Sequence, residues 1–75
     1  ESDMALDLGL LEANAQIAND HASTTLVAIR KLRANAVAGI EYTVGQQTAL
    51  RNEVDTDARL TQTAINAVVA HLDAN

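Results

Sequence analysis

Between Arg51 and Leu72 the chain has no Gly and no Pro, and its apolar residues fall at Val54, Ala58, Ile65, Val68 and Leu72, with Thr61 completing the spacing. The steps alternate between four and three residues. This is the seam of a helix packed lengthwise on another helix, and it demands a partner of similar length. Leu60 points away from that seam. The rest of the chain can supply the partner.

Residues 2–38 contain no Pro and a single Gly, Gly9. Ala, Leu, Gln, Glu, Arg and Lys dominate, all good helix formers. Ser2 or Asp3 is placed to cap the start. One apolar stripe reads Met4, Leu8, Leu11, Ala15, Ala18, Ala22, Leu26 and Ile29, and a second reads Leu6, Leu10, Ala13 and Ile17. At about 100° per residue the two stripes lie on roughly opposite sides of a helix. Such a helix needs neighbours on both sides, which a two-helix monomer does not provide. Met4, Leu6, Leu8 and Leu10 also alternate as a short strand would, although Ala and Asp are poor strand residues. The stretch from Asn19 to Thr25 is the weakest helical part. A second helix capped by Asp20 or Ser23 is the alternative there to one long helix.

From Gly39 to Gly45 the helix formers stop, and Ile, Tyr, Thr and Val appear between two glycines. Gly39 suits the left-handed position just past a helix end. Thr43 followed by Gln46 matches a capping box. Together they predict a turn near 39–43 and two halves of nearly equal length, an antiparallel helical hairpin. One unbroken helix through Ile40 and Val44, or a short strand, are the alternatives. In the hairpin, residue i faces roughly residue 82 − i, so Arg30, Lys31 and Arg33 come near Glu53 and Asp55. The expected fold is all-α, a single domain over residues 1–75.

Of the 75 residues 15 are Ala, Phe and Trp are absent, and there is no Cys. Alanine buries little area, so the core is thin for its apolar count. Domains of this size need a disulfide, a metal or a partner subunit. Cys is missing. The two histidines, His21 and His71, have no ligand partner at helical spacing and read as surface residues, so no metal site is expected. Association remains. The acidic cluster Glu53, Asp55 and Asp57 lacks the Gly and late Glu of a calcium loop, with Arg59 at a ligand position. It reads as a helix cap or as a solvated surface. Seven Thr and two Ser have no Gly-rich elbow and no neighbouring His, and no phosphate-cradling loop is present. Neither catalysis nor a cofactor is expected.

The net charge of −5 opposes nucleic acid and anionic membrane as partners, and no apolar run is long enough to span a bilayer. The chain opens at Glu1, as a processed protein or a fragment does, with no basic-then-apolar signal segment. Two secretion-related helical hairpins share this size. One carries Trp-x-Gly at its turn, where this chain has Val37-Ala38-Gly39, and the other has a Pro-containing turn that is missing here.

The expected role is structural: a self-assembling subunit of a pilus-, needle- or virion-like filament, tube or bundle, in an extracellular or virion-surface setting. Leu6, Leu10 and Ile17 are the expected contact between subunits. The alternative is a closed helical oligomer that serves another protein as an inhibitor, adaptor or docking domain.

Overall fold

The computed structural model describes residues 6–41 and 43–75. It contains two antiparallel helices, α1 (Leu8–Val37) and α2 (Val44–Asp73), of 30 residues each. They form a hairpin 61 Å long and 18 Å wide. The described residues contain no strand. The all-α hairpin is therefore the fold, and α1 runs unbroken through residues 19–25.

Each helix end is set by local chemistry. The Asp7 carboxylate accepts from the Leu10 N–H at 3.0 Å, so α1 begins at Leu8. Ser2 and Asp3, the expected caps, lie outside the described residues. At its other end Gly39 takes φ 83°, and the Gly39 and Ile40 N–H groups donate to the carbonyls of Ala36 and Asn35. This crossed pair satisfies two orphan carbonyls in a Schellman ending, and the left-handed angle favours Gly. Thr43 Oγ1 then accepts from the Gln46 N–H at 3.1 Å, and Gln46 Oε1 accepts from the Thr43 N–H at 2.8 Å. The capping box starts α2 where the sequence pattern places it.

The register follows the 82 − i relation. Thr25 Oγ1 donates to Asp57 Oδ2 at 2.7 Å across the helix pair. Ala18 and Ala64, the two buried apolar residues among those described, obey the same relation. At the open end the Asp7 N–H donates to His71 Nε2 at 2.9 Å.

The contact line itself departs from the expected one. On α1 the buried and half-buried positions are Leu11, Asn14, Ala18, His21, Thr25, Ala28, Leu32 and Asn35. On α2 they are Leu50, Val54, Asp57, Thr61, Ala64, Val68 and His71, with Ala67 beside them. Both sets step by threes and fours, so the heptad logic stands while its phase is rotated. Leu11, Val54 and Val68 lie on the line. Leu26, Ile29, Ile65 and Leu72 each lie one position past it and are exposed, and Leu8 is 69% exposed. Met4 lies outside the described residues. The physical reason is size. Alanine and threonine at the middle of the line, Ala18, Thr25, Thr61 and Ala64, let the two helix axes approach closely there, while Leu11 and Val68 fill it towards the open end and Leu32, Leu50 and Val54 towards the turn. Two further corrections follow from this phase. His21 and His71 are half-buried between the helices rather than on the surface. Asp57 is 6% exposed rather than solvated.

Candidate functional site

The side chains available for function are those that flank the contact line. In an antiparallel pair, residues one step past the line on either helix border the same side of the hairpin. On α1 the inner column of these, seven residues apart, is Leu8, Ala15, Ala22, Ile29 and Ala36. On α2 it is Arg51, Ala58, Ile65 and Leu72. A groove of about 380 Å³ joins them, lined by Ala22, Val54, Ala58 and Ile65 among others. Another of about 430 Å³ includes Ile29, Ala36 and Gln47. The inner column of this side is apolar but for Arg51, and its edge carries Leu26 together with Glu12, Arg33 and Asp55.

The opposite side is formed by residues one step before the line. Leu10 and Ile17 begin the α1 column, and Thr24 and Lys31 continue it towards the turn. On α2, Glu53 is followed by Leu60, Ala67 and Ala74. Leu6, Leu10 and Ile17 are exposed, as a contact surface between subunits requires. Leu10 and Ile17 do not lie opposite the contact line, however. They border it. This second side is apolar only in the half nearer the chain ends. Its turn half holds a groove of about 230 Å³ with Lys31, Asn35, Gln46 and Glu53 in its lining.

The expected contrast between Ile65 and Leu60 also changes. Ile65 is 40% exposed and Leu60 42%, so both border the line, on opposite sides. Lys31 and Glu53 share a groove, as the register implies. Asp55 instead pairs with Arg59 along its own helix at 3.2 Å.

No group of three or more His, Asp or Glu side chains converges among the described residues. None of the described helices is long and apolar enough to cross a membrane. The interhelix polar elements, Asp57 with Thr25 and His71 with the Asp7 backbone, are what the sequence pattern missed. Their signal was present, since Asp57, Thr61, Ala64, Val68 and His71 themselves keep the alternating four-three step. No protein-family model, curated protein or solved structure matches the chain.

Proposed function

We propose that this chain is a self-assembling structural subunit, a helical hairpin that builds a filament, tube or bundle and carries out no catalysis. One observation supports this reading. The hairpin turns its large apolar side chains outward: Leu26, Ile29, Ile65 and Leu72 are exposed, while the residues it buries are Ala18, Ala64 and Asp57. A core of two alanines with Leu11, Leu32, Leu50, Val54 and Val68 only half-buried removes little apolar area from water against the ordering of two 30-residue helices. Burial against other copies supplies what the single hairpin lacks. Two unlike apolar sides favour an open, pilus-, needle- or virion-like array, because contacts between different surfaces propagate.

A second reading has its own support. The turn half of the second side carries Thr24, Lys31 and Glu53, which weakens it as a continuous contact. Pairing through the first side alone would give a closed bundle able to serve another protein as a docking module.

Size-exclusion chromatography with light scattering, run over a range of concentrations, separates these outcomes. An open distribution that grows with concentration supports the filament. A fixed small multiple of 7.9 kDa supports the closed bundle. A constant 7.9 kDa refutes self-assembly.

A further inference from the structure

We infer that two copies of this chain pair through the more apolar side, about a two-fold axis parallel to the hairpin, into an antiparallel four-helix bundle with both turns at the same end. The inference deepens the self-assembly reading and rests on it.

Area is the first argument. Helices roughly 45 Å long by their rise per residue, in a hairpin 18 Å wide, give this side on the order of 800 Å², about what each partner of a stable complex contributes. Charge is the second. In the columns Leu8 to Ala36 on α1 and Arg51 to Leu72 on α2 only Arg51 is charged, and it sits near the turn; Glu12, Arg33 and Asp55, also one step past the contact line, stand at the outer edge with Leu26. A second copy can therefore approach without burying opposed like charges along the rest of the column.

Shape chooses the orientation. By the 82 − i register, Ile65 is level with Ile17, and so falls between Ala15 and Ala22 along the rod. Ala22 and Ile65 line one groove. A two-fold axis parallel to the rod places the partner's α1 over this copy's α2. The Ile65 side chain then enters the gap between Ala15 and Ala22 of the other copy, twice per pair. Ile29, level with Glu53, falls between Ala58 and Arg51 of the other copy. Large residues meet small ones, as a bundle core requires. Turning one hairpin end for end instead stacks α2 on α2 and takes Ile65 away from the gap between Ala15 and Ala22.

The test uses size rather than polarity. Ala22→Leu adds apolar surface to an exposed position, so hydrophobic attraction alone predicts tighter association. The proposed packing predicts the reverse, because the added volume fills the gap that Ile65 enters. Sedimentation equilibrium should show the dissociation constant raised about tenfold or more. The double variant Ala22→Leu/Ile65→Ala exchanges the large and small positions and should recover most of that loss. Unchanged or tighter association of Ala22→Leu, or no recovery in the double variant, overturns this pairing. Ile65→Glu should abolish the pair, and Val27→Glu, on the outer surface of α1, should leave it as in the parent.

Orientation is read separately. The chain has no Cys, so Glu41→Cys carries one spin label per copy. Labels closer than the width of the bundle support turns at the same end, and a separation near the 61 Å length of the hairpin overturns it. Association that survives in both Ala22→Leu and Ile65→Glu leaves self-assembly standing and removes only this side as its seat. A parent that stays monomeric removes both.

Discussion

Thr25→Val should cost more stability than its exposure suggests. The Thr25 hydroxyl donates to Asp57 Oδ2 at 2.7 Å, and Asp57 is 6% exposed near the middle of the contact line. Valine keeps the shape and removes the donor. A hydrogen bond onto a charged acceptor contributes about 1.5–3 kcal/mol, and a buried acceptor that loses its donor is penalised on the same scale. Thr25→Val is thus expected to destabilise the protein by about 2 kcal/mol. Asp57→Val behaves differently. It removes the buried carboxylate, and the Thr25 hydroxyl can turn to the carbonyl four residues earlier. Thr24, Thr56 and Thr63 already do so, onto Asp20, Asn52 and Arg59. Asp57→Val should lie within about 1 kcal/mol of the parent or be more stable. The double variant should resemble Asp57→Val, giving a coupling energy of about 2 kcal/mol. Urea unfolding followed by circular dichroism, at one fixed protein concentration, measures all four proteins. If the two single effects simply add, the Thr25–Asp57 bond does not hold the register.

Three further outcomes are expected. Gly39→Ala places a Cβ at φ 83° and should cost about 1–2 kcal/mol in a thermal melt, with helix content retained. Ile65→Asp and Leu60→Asp should perturb the hairpin alike, since both border the contact line, yet light scattering should show that Ile65→Asp breaks assembly far more. Equal loss of assembly would contradict the distinction between the two sides. His71→Ala removes the acceptor of the Asp7 N–H and should lower hydrogen-exchange protection at Asp7 and Leu8, corresponding to about 1 kcal/mol locally. Unchanged protection would mean the open end is closed by other contacts.

The hairpin, its turn and its register were legible because each rests on local chemistry. Gly39 just past a helix, Thr43 three residues before Gln46, and two Pro-free halves of equal length are enough to place both helices. The phase of the contact was not legible from hydrophobicity. Choosing the largest residues put Leu8, Leu26, Ile29, Ile65 and Leu72 between the helices. Instead Ala18, Thr25, Thr61 and Ala64 occupy the middle of that line, where small side chains permit close approach and Asp57 finds its donor. Two interleaved four-three patterns coexist on α2, one starting Val54, Ala58 and one starting Leu50, Val54, Asp57. Transfer energy ranks the first higher. The polar pairing of Asp57 with Thr25 and of His71 with the Asp7 backbone selects the second. The large residues are then left over, and the surfaces they form are the candidate site. Leu10 and Ile17 were rightly expected at the surface, but their place beside the contact line was hidden by the same phase error.

Folding and association of this chain should be a single event. Urea unfolding followed by circular dichroism, repeated over a hundredfold range of protein concentration, tests that. If the large apolar side chains are buried between copies, the unfolding midpoint rises with each increase in concentration. A midpoint that stays constant across the range, with a monomer of 7.9 kDa throughout, would contradict it.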